Sequence, residues 1–262
     1  MPDLLAPLHD TLASLALTPA LVAGALGAVL AAALLRGFTG FGFSLAAVPM
    51  LGLVMAPAEA VPVALGLQFL GGLIDLPGAS RDSHWPSLRW LIAGAVLGSP
   101  AGALVLSIVP ASVARIVIAA ITAAAVVLLG RGFAIAAIPQ RMATILVGLV
   151  AGVFNGLAAM PGPPAVVYYM SGPFGRVAAR ASLLVFFLAT SISALASLAM
   201  LGLLDRRVVV LSVAGLPVMA LGTWIGELGF RHGSATLHRQ VSVASLGVIA
   251  LGSALKGVSE LI

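Results

Sequence analysis

The residues best suited to bind a ligand lie in one short run, Arg36 to Ser44, which reads RGFTGFGFS. Three glycines in this run, with Pro49 shortly afterwards, predict an interruption in any helix. An interrupted helix presents free backbone N–H groups and the positive end of a helix dipole, which attract anions. The alternative that remains open is close helix packing by small residues. The candidate binding residues of this run are Thr39, Gly40, Phe41, Gly42 and Ser44.

Arg36 is the charged side chain with the strongest claim to a role in binding. Its planar guanidinium group matches the oxygens of a carboxylate, a sulfite or a sulfonate. An arginine inside a membrane is costly, so it normally pairs with another group or lines a pathway. The alternative is an arginine that ends the first membrane span and extends its charge to the interface.

A second run of the same kind, Asn155 to Pro164, reads NGLAAMPGPP and also predicts an interrupted helix. Paired interruptions in corresponding parts of a chain are an indication of a transporter binding site. The candidate binding residues here are Asn155, Gly156, Gly162, Pro163 and Tyr168.

Two further polar residues, Gln68 and Asp75, belong to one apolar segment between these runs. They are separated by about two helical turns and therefore share one face of a helix. Gln68 is a candidate for contact with the solute. Asp75 is a candidate site for a coupling proton, although a helix cap close to Arg81 is the favoured interpretation.

No cofactor, metal site or nucleic-acid partner is predicted. The chain has no cysteine, and its four histidines lack any recognisable metal-ligand spacing. The 13 basic residues are scattered through short loops rather than gathered in a patch, which argues against nucleic-acid binding.

The elements that hold these residues must lie in a membrane. The chain is 61% hydrophobic and only 8% charged, whereas soluble domains average about 25% charged residues. Because each membrane helix needs about 20 apolar residues, the 262 residues predict an all-α integral membrane protein with about eight to ten transmembrane or re-entrant helical segments. Two of the ten apolar stretches, 41–56 and 161–172, are short and proline-broken, so each could be half of a hairpin.

The order of residues also predicts two homologous repeats. A pattern of two glycines followed by an arginine recurs 124 residues apart, first as Gly98, Gly102 and Arg115 and again as Gly222, Gly226 and Arg239. We therefore expect a lead-in at 1–18, a first repeat at 19–130, an inter-repeat loop at 131–141 and a second repeat at 142–262. An odd number of spans in each half would invert the second repeat relative to the first.

The distribution of arginines favours one orientation in a cell inner membrane. If all ten stretches cross, nine of the 13 basic residues fall on one side, which the positive-inside rule assigns to the cytoplasm. If the two short stretches do not cross, this bias nearly vanishes, and the orientation stays open.

The two interrupted runs resemble the paired motifs of the sulfite exporter TauE/SafE family. Residues 36–43 with Val48 and Pro49 are similar to that family's first motif, and residues 162–168 are similar to its second. The resemblance implies transport of small anions, often sulfur-containing ones such as sulfite, thiosulfate or organosulfonates. The family's second motif usually has a run of glycines before the prolines, whereas this chain has Ala159-Met160-Pro161-Gly162 there.

A secondary transporter that works by alternating access is the function these features predict, with the anion between the two interrupted runs. Its partners would be a small anion, the lipid bilayer and a possible second copy of the chain. The alternatives are an integral-membrane enzyme acting on a lipid-phosphate substrate and, less favoured, a channel. Few ionisable side chains lie within the spans, which argues against the enzyme.

Overall fold

A computed structural model describes Leu15 and residues 17–39, 42–131, 140–230 and 235–260, without the side chains of residues 39, 129–131, 170–171, 229–230 and 235–243. The regular elements in this part of the chain are all helices. They are α1 (Pro19–Thr39), α2 (Phe43–Gly52), α3 (Pro57–Asp82), α4 (Trp85–Ile108), α5 (Ala111–Arg131), α6 (Arg141–Ala158), α7 (Gly162–Ser171), α8 (Arg176–Met200), α9 (Arg206–Phe230) and α10 (Ala235–Ser259).

The prediction of an all-α membrane protein with eight to ten segments is confirmed. Seven of the described helices, namely α1, α3, α4, α5, α6, α8 and α9, are long and apolar enough to cross a membrane by length and composition. By contrast, α2 and α7 have 10 residues each. A helix of that size is about 15 Å long, which is about half the thickness of a hydrocarbon core.

The two short helices begin where the backbone conformation is unusual. Gly42 precedes α2 with a φ of 87°, in the left-handed region, which glycine adopts without steric cost. Ala159 ends α6 with a φ of 55°, and Pro161 and Pro163 then start α7. Ala159 is the one non-glycine residue with a positive φ in the described part of the chain.

Glycines allow the long helices to cross at very short distances. A Cβ atom on Gly98 of α4 would lie 3.0 Å from the backbone nitrogen of Val153 on α6. A Cβ atom on Gly226 of α9 would lie 2.9 Å from the backbone nitrogen of Phe38 on α1. Both separations are shorter than an ordinary contact, so larger residues would push the backbones apart.

The helices from the two halves of the chain pack across one another. α4 packs on α6, α1 on α9, α3 on α8 and α5 on α10. The short helix α2 is enclosed by these elements, with nine of its ten residues buried.

Candidate functional site

A cavity of about 590 Å³, which includes space open to the outside, lies where the two short helices begin. Five parts of the fold contribute to its wall: the last turn of α1, the start of α2, one face of α3, the α6–α7 junction and α8. The lining residues are Arg36, Gly42, Phe43, Ser44, Leu45, Gln68, Gly72, Asp75, Ala159, Met160, Pro161, Gly162, Leu184 and Phe187.

The two interrupted runs meet at this cavity. Gly42 and Ser44 come from the start of α2, and Gly162 comes from the start of α7. The first turn of any helix leaves backbone N–H groups without partners inside the helix. The first turn of α2 contains no proline and supplies several such donors, whereas the prolines at 161, 163 and 164 leave Gly162 as the one N–H donor in the first turn of α7. Both helix starts also direct the positive ends of their dipoles towards the cavity.

Arg36 and Asp75 form an ion pair in the cavity wall. The Nη2–Oδ2 distance is 2.7 Å, and the side chains are 18% and 33% exposed. The Nη1 atom of Arg36 also lies 3.9 Å from the sulfur of Met219. The interpretation of Asp75 as a helix cap near Arg81 is wrong, because α3 continues to Asp82 and the carboxylate points to α1 instead.

Gln68 joins the first short helix to α8. The hydroxyl of Ser44 donates to Gln68 Oε1 at 2.6 Å, and Gln68 Nε2 donates to the hydroxyl of Ser191 at 2.8 Å. Ser191 in turn donates to the carbonyl of Phe187 at 2.7 Å. This chain of hydrogen bonds fixes the orientation of the Ser44 hydroxyl at the cavity edge.

Four candidate residues of the second run do not line the cavity. The side chain of Asn155 is fully buried and donates to the Thr190 carbonyl at 2.8 Å. A Cβ atom on Gly156 would lie 2.6 Å from the backbone nitrogen of Ala103 on α4, so this glycine serves a helix crossing. Pro163 is buried in the first turn of α7.

Tyr168 belongs to an aromatic cluster behind the cavity. Its hydroxyl lies 3.2 Å from that of Thr144, and its ring contacts those of Tyr169 and Phe174 at centroid distances of 5.1 Å and 5.6 Å. Of the first run, Gly40, Phe41 and the side chain of Thr39 lie outside the described residues.

Comparison with protein families matches residues 17–253 to the family described as Sulfite exporter TauE/SafE. The chain belongs to this family. It is also 28% identical, over 198 residues that cover 72% of this chain and 76% of the relative, to a protein from Cupriavidus necator described as a probable sulfite/organosulfonate exporter TauE. No solved structure matches the chain significantly.

Membership in the TauE/SafE family identifies a membrane transport protein, in agreement with the seven described helices that are long and apolar enough to cross a membrane. Because the family is one of exporters, the alternative interpretation as an enzyme that acts on lipid phosphates is excluded. Small anions are therefore the class of solute that this chain carries.

The departure from the TauE/SafE motif at Ala159 has a structural consequence. This residue takes the left-handed conformation, and its N–H donates to the Asn155 carbonyl at 2.7 Å, which closes the last turn of α6. An alanine in this region is strained by about 1–2 kcal/mol relative to its usual conformations. The backbone around the cavity is held in this shape by the surrounding packing, because Ala159 is fully buried.

Sequence reasoning did not identify the α8 side of the cavity. Leu184 and Phe187 line it together with Met160, yet apolar residues of this kind fill every membrane helix and give no signal of their own. The sequence identified Arg115 only as part of the repeat pattern, and its contacts could not be predicted. It is 6% exposed and donates to the carbonyls of Gly52 and Met55 at 3.0 Å and 3.2 Å, at the C-terminal end of α2.

No group of three or more residues of the metal-ligating types His, Cys, Asp and Glu occurs within the described part of the chain. The polar atoms at the cavity are instead hydroxyl, amide, guanidinium and carboxylate groups, with the starts of two helices. This set is suited to hydrogen bonding of a small charged solute.

Proposed function

We propose that this protein transports a small sulfur-containing anion, such as sulfite, thiosulfate or an organosulfonate, across the cell inner membrane. The anion binds in the cavity between the starts of α2 and α7, beside Arg36. The observation that carries the proposal is the meeting of both interrupted runs and one arginine at a single cavity. The Cupriavidus necator relative, described as a probable sulfite/organosulfonate exporter, supports the choice of anion.

The chemistry of the wall supports an anion in this position. The N-terminal turn of a helix attracts negative charge through its free N–H groups and its dipole. Gly42 and Gly162 lack side chains that would cover these turns; a Cβ atom on Gly162 would have its nearest neighbour, Phe187 Cζ, 3.9 Å away. The oxygens of a sulfite or sulfonate group can therefore approach both backbones.

An inverted repeat and alternating access are part of the same proposal. If each helix of α1–α5 corresponds to the one five places later, the α1–α9 contact corresponds to the α6–α4 contact. Under the same correspondence, α3–α8 and α5–α10 pair equivalent helices. A binding site at the interface of two such repeats, flanked by two broken helices, supports movement of one half against the other.

The first test is thermal stabilisation of the purified protein by sulfite, sulfate, thiosulfate, sulfoacetate, taurine and acetate. A ligand at about one hundred times its dissociation constant stabilises the folded state by about 2.7 kcal/mol. We expect a sulfur-containing anion to raise the unfolding temperature of wild-type protein. We also expect that rise to disappear in Arg36→Ala, because the guanidinium group is the cation of the cavity wall.

Two further variants separate loss of binding from loss of folding. Arg81→Ala removes an exposed arginine in the last turn of α3 and should keep the full ligand-induced shift. Arg36→Lys keeps the charge beside Asp75 but loses the planar pair of donors, so it should bind the anion more weakly while folding normally. An unchanged shift in both Arg36 variants would rule out this cavity as the anion site.

A homodimer remains a prediction, and the mass of the protein in detergent, measured by light scattering, checks it. The cell inner membrane is likewise proposed, and fractionation of cells that express the tagged protein tests it.

A further inference from the structure

We propose that Asp75 takes up a proton whenever an anion occupies Arg36, so that the protein moves one anion and one proton together. This inference rests on the proposed function, because it concerns the charge balance of the same cavity.

The ion pair makes the unoccupied cavity neutral. Of the described residues that line it, Arg36 is the one cation and Asp75 the one acid. Their side chains are in direct contact, with an Nη2–Oδ2 distance of 2.7 Å. A monovalent anion that enters this wall therefore changes the net charge from zero to minus one, unless a proton enters as well.

The other polar groups of the wall do not offset this charge. The hydroxyl proton of Ser44 is donated to Gln68, and the Gln68 amide donates to Ser191. The wall is otherwise formed by glycine, proline and apolar side chains, of which the large ones are Phe43, Leu45, Met160, Leu184 and Phe187. The starts of the two short helices stabilise the bound anion. Their partial charges do not provide a full counter-charge for the ionised carboxylate of Asp75 as well.

The anion and Asp75 compete for the same guanidinium group. An oxyanion that forms two hydrogen bonds with Arg36 uses the N–H groups on which Asp75 now depends. The displaced carboxylate, whose side chain is 33% exposed, would stand without a counter-ion beside the bound anion in a largely apolar wall. Two negative charges in contact also repel each other, and this repulsion is stronger in an apolar wall than in water. A proton from water on the side of entry, bound by a carboxylate oxygen of Asp75, restores neutrality.

Arg36 is the charged side chain that the described structure pairs with Asp75. The remaining charged or titratable side chains that the structure describes on α3 and on the helices packed against it are bonded elsewhere or exposed. Glu59 pairs with Arg207, Arg115 with Glu260, Arg89 and Arg141 stack on Trp90, His84 bonds to Ser87, and the exposed ones are Arg81, Asp82, Arg176, Arg180, Arg206 and Glu227.

The transport cycle that follows is electroneutral for a monovalent anion. The loaded protein carries the anion, Arg36 and a protonated Asp75, and the unloaded protein returns with the Arg36–Asp75 ion pair. Both forms of the cavity have no net charge. On the far side the anion leaves, Asp75 releases its proton to water, and the ion pair forms again.

Methanesulfonate is the probe, because its sulfonate group stays ionised while the pH changes. Binding to the purified full-length protein is measured by calorimetry from about pH 5.5 to about pH 7.5, in buffers of different ionisation enthalpy. We expect one proton to be taken up per anion bound. We also expect the dissociation constant to rise by up to about tenfold per pH unit, as a single linked proton requires.

Asp75→Asn imitates the protonated carboxyl group and should bind methanesulfonate with no proton uptake and no dependence on pH. At the upper end of the range it should bind more tightly than wild-type protein. In proteoliposomes, a potassium diffusion potential should drive methanesulfonate flux through Asp75→Asn and leave wild-type flux unchanged. The matched control, Glu227→Gln, removes an exposed acid from α9 and should behave as wild type.

Several outcomes would overturn the coupling. Methanesulfonate binding by wild-type protein without proton uptake would do so, and this measurement does not depend on the folding of any variant. Retention of the pH dependence in Asp75→Asn would do so as well. Binding of 2-aminoethanesulfonate alone, without proton uptake, would mean that the ion pair receives a zwitterion instead. If no anion binds at any pH, the proposed function itself fails.

Discussion

Two glycines of the second interrupted run, Gly156 and Gly162, should respond in opposite ways to the same substitution by alanine. A Cβ atom on Gly156 would lie 2.6 Å from the backbone nitrogen of Ala103. Carbon atoms pack best at about 3.5–4.0 Å, so α4 and α6 would have to separate by about 1 Å. A Cβ atom on Gly162 would meet only Phe187 Cζ, at an ordinary 3.9 Å.

The expected magnitudes follow from these distances. Overpacking of a tight interface costs about 1–3 kcal/mol, and Gly156→Ala should be at the upper end because the obstacle is backbone that cannot rotate away. Gly162→Ala should leave the free energy of unfolding within about 0.5 kcal/mol of wild type. It adds a methyl group to the cavity wall, however, and one such group in a binding pocket is worth about 1–3 kcal/mol of affinity.

The assay combines thermal unfolding of the detergent-purified variants with anion flux in proteoliposomes, normalised to folded protein. Gly156→Ala should unfold at a lower temperature, and its remaining folded molecules should transport the anion. Gly162→Ala should unfold like wild type and transport about tenfold more slowly or worse. Equal destabilisation of the two variants with undiminished flux would refute the reasoning, because both glycines would then serve packing alone.

Two further predictions concern Ala159, which lines the cavity, and Arg115, which bonds to backbone carbonyls near the C-terminal end of α2. Ala159→Gly should be more stable than its neighbour control Ala158→Gly by about 1–2 kcal/mol, because both lose one buried methyl group but only the former relieves a left-handed alanine. Equal unfolding temperatures would contradict this strain. Arg115→Ala should destabilise the protein by about 3 kcal/mol, since it removes charged hydrogen bonds to the carbonyls of Gly52 and Met55. By contrast, Arg207→Ala removes a partly exposed ion pair with Glu59 and should cost less than about 1 kcal/mol. Chemical denaturation of wild-type protein, Arg115→Ala and Arg207→Ala measures these free energies of unfolding. Similar losses of stability in the two arginine variants would argue against a special role for Arg115.

Much of the site could be identified from residue types alone. Arg36, Gly42, Ser44, Gln68, Asp75 and Gly162 were candidates from the sequence and line the cavity. Charged and helix-breaking residues are conspicuous in an apolar chain because a membrane makes them costly, so few occur without a reason. The same argument could not separate Gly156 from Gly162, since a glycine that permits helix packing and one that leaves room for a ligand look identical in sequence.

The partners of these residues could not be predicted. Asp75 pairs with a residue 39 positions earlier, and Gln68 bonds to one 123 positions later. Such contacts depend on which helices are neighbours, and local sequence patterns carry no record of that arrangement. The cap assigned to Asp75 failed for this reason: the assignment considered Arg81, which is close in the chain, whereas the packing of α1 on the fold brings Arg36 to Asp75.

The sequence by itself determined the solvent of this protein, its all-helical class and its two short interrupted segments. Each of these follows from local composition, since lipid demands long apolar helices with satisfied backbones, and dense glycine and proline break them. Only the tertiary structure decided that both breaks open on one cavity, that α8 completes its wall and that Asp75 neutralises Arg36. Those results depend on packing between distant helices, where shape and close contact choose the neighbours.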